Sequence, residues 1–194
     1  MSRESVYSFS DMGNLSAPGR LRTTIDVHVP RTVSVPLWAG GTEVAWPEGV
    51  IADVTEGTKP EDMPWSGAVH VVSARFRELI ERHCPGDAIF LPIGVRRNGR
   101  PFGPAPYWVA HWVRALDCLD RERSKSFVMK LRNGQTEEVF TSPCVDLAKV
   151  PPEVQVWRAR PPMSSVFIRD EMRSKIEDAK LSGCQFYPVA YING

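Results

Sequence analysis

Val69-His70-Val71-Val72-Ser73-Ala74-Arg75-Phe76-Arg77-Glu78-Leu79-Ile80-Glu81-Arg82-His83-Cys84-Pro85-Gly86 changes its period partway along. Up to Ser73 the valines read as a short buried strand. Beyond it Phe76, Leu79, Ile80 and His83 recur at the spacing of one helical face. Ser73 is the expected N-cap, because its hydroxyl can accept a backbone N–H that the first helical turn leaves unpaired. Cys84-Pro85-Gly86 ends the helix: proline lacks the amide hydrogen, and glycine suits the C-terminal cap.

Downstream the strand pattern returns at residues 88–95, 107–116, 126–131 and 137–140, with Asn98-Gly99 and Asn133-Gly134 as hairpin turn signals. Residues 154–157 and 166–168 are further strands. Residues 170–180 form a second helix, with Met172, Ile176 and Ala179 on one face and Gly183 closing it, before a last strand at 184–191. Upstream, strands are expected at 6–9, 24–29, 32–38 and 50–54, with Asp26 and His28 on a wet face. Gly40-Gly41, Trp46-Pro47 and residues 57–67 read as loops, in keeping with 17 prolines and 14 glycines. With no internal repeat, the expected architecture is a single α+β domain spanning 1–194: antiparallel sheets joined by hairpins, with about two main helices. Residues 1–68 would be its loop- and strand-rich part and 69–194 its core.

Apolar residues make up 42% of the 194 and charged residues 24%, which is the composition of a chain that buries a core. The 24 basic and 23 acidic side chains nearly cancel, so no broad field exists to hold nucleic acid or an anionic membrane. The polar start lacks the apolar run of a secretory signal, and no long apolar span follows; the expectation is a cytoplasmic protein without a membrane partner. Cys84, Cys118, Cys144 and Cys184 lie far apart, which favours free thiols over a zinc or redox pair. The sequence does not specify an oligomeric state.

These residues invite several chemistries. A nucleophile would pair Cys84 or Cys118 with His83 or His111, yet adjacent His83 and Cys84 point apart. His28, His70, His83 and His111 lack the spacing of a metal motif, so no metal or other cofactor is expected. The glycines from Gly94 to Gly103 precede no helix and read as a hairpin tip rather than a phosphate loop. Arg96, Arg97 and Arg100 near Tyr107, Trp108 and Trp112 mimic a single-strand-binding mix, against which the charge balance speaks. Asp117 and Asp120 read as turn-capping rather than acid–base residues. The alternatives kept open are a small cysteine- or aspartate-dependent hydrolase or transferase, and a regulatory protein-binding domain.

Leu116-Asp117-Cys118-Leu119-Asp120-Arg121-Glu122-Arg123-Ser124 resembles the leucine-aspartate element, ending in serine, of a bacterial family once catalogued as a domain of unknown function. That family is grouped with the predicted immunity proteins of polymorphic toxin systems. Val71-Val72-Ser73 with Phe76, Leu79 and Ile80 is similar to its strand and serine-capped helix, and the strand with Phe90 and Pro92 to the one that follows. Residues 166–172 and 181–188, with Phe167, Gly183 and Phe186, are similar to its closing strand, helix and strand. The resemblance covers about residues 69–190 and makes Ser73, Asp117, Asp120, Ser124, Phe167, Gly183 and Phe186 structural motif positions. It implies a non-catalytic immunity protein that binds and neutralises a cognate toxin. Arg169 stands where a small capping residue is expected, so either Asp170 takes the cap or the helix starts differently.

Inhibition by occupation needs an exposed surface with anchors. Residues 43–62 carry Glu43, Glu48, Asp53, Glu56, Glu61 and Asp62 against a single base, Lys59, and Trp46 and Trp65 bracket the stretch. An acidic segment with tryptophan anchors suits a basic toxin site, and these eight residues are the expected contact set.

Overall fold

The computed structural model describes residues 5–10, 23–28, 40–67, 69–103, 106–130, 134, 136–160 and 165–193. The strand expected at 32–38 and residue Asn133 of the second turn signal lie outside them.

Strand β4 (His70–Ser73) runs directly into helix α1 (Ala74–His83). The Ser73 hydroxyl accepts from the Phe76 amide at 3.3 Å, the cap expected of it. Phe76 and Ile80 are fully buried, Leu79 is half-buried and His83 is exposed, so the core stripe is narrower than the sequence period suggested. Helix α2 (Asp170–Asp178) follows strand β13 (Val166–Arg169) in the same way. Its N-cap is Arg169 with no side-chain bond to the helix; instead the Asp170 amide donates to the Ser5 carbonyl at 3.0 Å, and Asp170 and Glu171 face the positive end of the helix. The Arg169 guanidinium turns away and donates to the carbonyls of Val154, Val150 and Pro151.

Around these units lie two large sheets. One runs β11 (Cys144–Asp146), β14 (Gln185–Ile192), β1 (Val6–Ser10), β13, β12 (Val156–Ala159), β8 (Ala115–Leu116). The other runs β2 (Thr24–Val27), β3 (Ile51–Glu56), β5 (Ala88–Arg97), β7 (Tyr107–Trp112), β4, with the short β6 (Arg100–Pro101) on β5. A separate ribbon pairs β9 (Lys125–Lys130) with β10 (Thr136–Ser142).

The expected hairpins form. Asn98 and Gly99 both have positive φ, 51° and 74°, as a two-residue turn of the primed type requires, and they set Arg97 opposite Arg100. The expectation of antiparallel sheets, however, needs correction, because the sheets are mixed. β3–β5, β11–β14 and β12–β8 are parallel pairs. Hairpin signals report only neighbours in sequence, whereas a parallel pair joins strands separated by a crossover. Here β4 and α1 intervene between β3 and β5.

Phe9, Val72, Phe76, Ile80, Trp112, Val156, Val166, Ile168, Met172 and Ile176 pack between the two sheets and both helices. A second cluster around Ile25, Val71, Leu91 and Val109 covers the far face of the β5 sheet. A third, around Val6, Leu147, Trp157 and Phe167, covers the far face of the other. Asp87, 3% exposed, ties the sheets together: its carboxylate accepts from the amides of Gln155 and Val156 at 3.1 and 3.3 Å and from Arg114 at 3.3 Å.

His70 sits in the central core with Phe9 and Trp112 edge-on to it, and its Nδ1 accepts from the Trp112 indole at 2.8 Å. Burial, with Arg158 nearby, lowers its pKa from 6.5 to about 3. Between those values the unfolded chain binds a proton that the folded chain refuses, so stability is lost as pH falls from 6.5 toward 3. Urea unfolding is expected to show a loss of about 2 kcal/mol between roughly pH 7 and 5 that His70→Asn, which keeps an acceptor for Trp112, removes. Equal pH slopes in the two chains would show that His70 is not held neutral.

Candidate functional site

Structure divides the acidic stretch in two. Asp62 is 6% exposed, and its carboxylate accepts from the Ser73 hydroxyl at 2.7 Å, Arg75 at 3.2 Å, and the Ser182 amide and hydroxyl at 2.9 and 3.1 Å. Glu61 is half-buried and accepts from the Thr23 amide at 3.2 Å, while its carbonyl accepts from the Tyr107 hydroxyl. The Asp62 carboxylate is turned inward, toward donors from the cap of α1 and the loop after α2, and the Glu61 carboxylate faces the Thr23 amide. Asp53 is partly exposed and shared between His28 at 3.8 Å and Arg96 at 4.0 Å.

Glu43, Glu48 and Glu56 are exposed, and none of the ion pairs among the described residues uses them. Trp46 is half-buried, with its indole N–H donated to the Pro92 carbonyl at 2.9 Å. It walls a mainly apolar cleft of about 490 Å³, formed by residues 46–50 against Pro92, Ile93 and Gly94, with Glu48 in its lining. Gly94 helps keep the cleft open, since it brings no side chain to the exposed face of β5. Trp65 is 38% exposed; its backbone is fixed by bonds to Thr23 and Ile25 at 3.0 and 2.8 Å.

The motif positions hold turns and core. Asp120 accepts from the amides of Glu122 and Arg123 and from the Arg123 guanidinium at 2.6 Å, a contact that holds its carboxyl below the usual carboxylate range. Its carbonyl takes the Ser124 hydroxyl, which in turn accepts from the Cys144 amide at 2.9 Å, so the turn is locked to β11. Asp117 is exposed and outside this lattice. Phe167 is fully buried against Trp157, and Phe186 stacks on Phe9. Gly183, at φ 85°, does not end α2 itself, whose C-cap is Ala179; it lies against the Met63 backbone.

Burial pushes the Cys84 thiol up to about 12 and the Cys118 thiol up to about 11. The four histidines fall on different elements, His111 being buried with its Nε2 2.7 Å from the Gly41 carbonyl. Of the aromatics near Arg96, Arg97 and Arg100 in sequence, Tyr107 and Trp112 are buried and offer no stacking face, Trp112 standing opposite Ala88 at the other end of β5, while Trp108 is covered by Arg77 at 4.8 Å. No helix among the described residues is long and apolar enough to cross a membrane. Sequence reasoning missed Asp87 as a tie between sheets and the exposure of the β9–β10 ribbon. The consecutive Phe127-Val128-Met129 between two lysines was the available signal for the ribbon.

Compared with known families, residues 8–191 match the model of the Immunity protein family (Imm11), a span that takes in the first third of the chain as well as residues 69–190. No curated protein matches the sequence.

Proposed function

The chain belongs to the Imm11 immunity protein family, and from that premise we propose that it binds a cognate bacterial toxin in the cytoplasm and neutralises it by occupation, with no chemistry of its own. The family membership carries this reading. The thiols support it: at about 12 and 11, Cys84 and Cys118 stay protonated near neutrality, and a protonated thiol is a poor nucleophile. Cys84→Ala and Cys118→Ala chains that keep their melting profile are expected to protect a toxin-expressing host fully. Loss of protection with folding intact would restore the enzyme alternative.

For the contact surface we propose the exposed part of the acidic segment: the Trp46 cleft, which Glu48 lines, together with Glu43 and Glu56, and with Trp65 and Asp53 nearby in sequence. Carboxylates that no ion pair among the described residues uses attract a basic site, and the cleft that Glu48 lines accepts an anchoring side chain at the centre of an interface of about 800 Å² per partner. Charge mainly governs encounter and a buried anchor mainly governs release. Glu43, Glu48 and Glu56 changed together to lysine are expected to slow association with the toxin encoded beside this chain and to flatten its salt dependence. Trp46→Ala is expected to speed dissociation. Binding kinetics at two salt concentrations check both, and unchanged rates in the triple variant remove this surface from the interface.

A further inference from the structure

Five large apolar side chains are exposed among the described residues, and three of them are consecutive: Phe127 at 50%, Val128 at 69% and Met129 at 40%. They lie on β9, every residue of which is exposed. The sheet neighbour of β9 among the described residues is β10 alone. Among the described residues its other edge has no partner strand, so its backbone N–H and C=O groups stand beside apolar side chains as a template for a further strand. A two-stranded ribbon is also marginal in water until more strands join it.

We infer that β9 pairs antiparallel with β9 of a second copy of this chain, centred on Val128, so that two ribbons become one four-stranded sheet. This goes beyond the toxin-binding reading and does not depend on it. The argument is one of register. Opposed residues on antiparallel strands share a face, so a two-fold pairing must centre on a residue rather than between two. Centring on Phe127 sets Lys125 against Met129 and Ser126 against Val128; centring on Met129 sets Val128 against Lys130. Centring on Val128 sets Val128 against itself, Phe127 against Met129 and Ser126 against Lys130. All three apolar residues then meet apolar partners, the cross-strand contacts that stabilise sheets, and no like charges oppose each other.

Both faces of the ribbon agree with this register. Val139 is opposite Phe127 within the ribbon, so Phe127, Met129 and Val139 of the two copies form one continuous apolar band. On the other face the Ser126 hydroxyl donates to Glu138 at 2.7 Å, and Glu138 stands opposite Val128. Lys130 of the second copy, placed beside Ser126, is about two strand spacings from the Glu138 strand, roughly 9.6 Å, which the two side chains can span together. Glu138 is already paired with Arg121 at 2.7 Å, so Lys130 of the second copy comes beside a carboxylate in use, and the apolar centre carries the register.

The test uses the full chain in sedimentation velocity over a wide concentration range. The wild-type chain is expected to reach twice the mass of one chain. Val128→Lys and Val128→Glu, each alone, are expected to remain folded single chains, because each sets like charges face to face at the centre. Mixed in equal amounts, the two variants are expected to recover the double mass, since lysine then opposes glutamate. A wild-type chain that stays single throughout, a double mass indifferent to both substitutions, or a mixture that does not recover association overturns the inference. If the wild-type chain is single and Val128→Lys abolishes toxin binding, the edge belongs to the toxin instead.

Discussion

Asp62→Ala is expected to lower the unfolding free energy by about 2–4 kcal/mol in urea titration, because it removes the acceptor for three buried or half-buried donors at once. The Ser73 hydroxyl and the Ser182 amide and hydroxyl all converge on this carboxylate, which is 6% exposed. Arg75 adds little to the figure, since its side chain is 62% exposed and an exposed ion pair contributes a few tenths to about 1 kcal/mol. The larger loss follows from position. Asp62 links the cap of α1 to the loop after α2, and its own carbonyl accepts from the Ser73 amide at 2.8 Å. A loss below about 1 kcal/mol would mean that water replaces the carboxylate there. The same geometry explains why substitutions at Asp62 cannot probe the toxin surface: they would weaken the fold and mimic a lost contact.

Gly183→Ala is expected to be the most damaging single methyl group in the chain, at about 3–5 kcal/mol or loss of soluble protein. Two effects add. The backbone sits at φ 85°, which an L side chain tolerates poorly, and a Cβ there would fall 2.7 Å from the Met63 carbonyl carbon and closer still to its oxygen. Met63 cannot yield easily, because its side chain is fully buried and its amide donates to the Ser182 carbonyl at 3.0 Å. Gly134→Ala is the control. Its φ of 84° is nearly the same, but nothing lies within 4 Å of the added carbon, so its cost is expected to be that of the backbone conformation alone, about 1–2 kcal/mol. Thermal and urea unfolding of both variants separate the clash from the conformation; equal losses would show that the Met63 contact adds nothing.

Both variants strike the same junction, where residues 61–63 meet residues 181–183. The family match includes both segments, and Gly183 and Ser73 are positions that the sequence resemblance had singled out. Their role is to join the loop before β4, the cap of α1 and the loop after α2. A stability variant there and a surface variant at Glu43 or Glu48 should therefore separate cleanly: the first lowers protection together with the melting point, the second lowers it alone.

Local chemistry was legible in the residues themselves. The change of period at Ser73, the hydroxyl cap it supplies, the primed turn at Asn98-Gly99 and the helix over residues 170–178 depend on groups a few positions apart, and backbone dihedrals with short-range hydrogen bonds largely decide them. The immunity-family motifs were legible for the same reason, since they lie within such units. Three things required the folded chain. Parallel pairing of β3 with β5, β11 with β14 and β12 with β8 joins strands whose connection runs through other elements, and no turn residue announces it. Asp62 and Glu48 are both carboxylates of one acidic stretch. One is buried and the other exposed because Ser182, 120 residues away, brings donors to Asp62, while among the described residues no such donors reach Glu48. The exposure of Phe127, Val128 and Met129 depends on β9 and β10 standing outside both large sheets. An apolar run specifies that burial is favourable, but which surface supplies it depends on long-range packing, and here the described fold leaves that surface open.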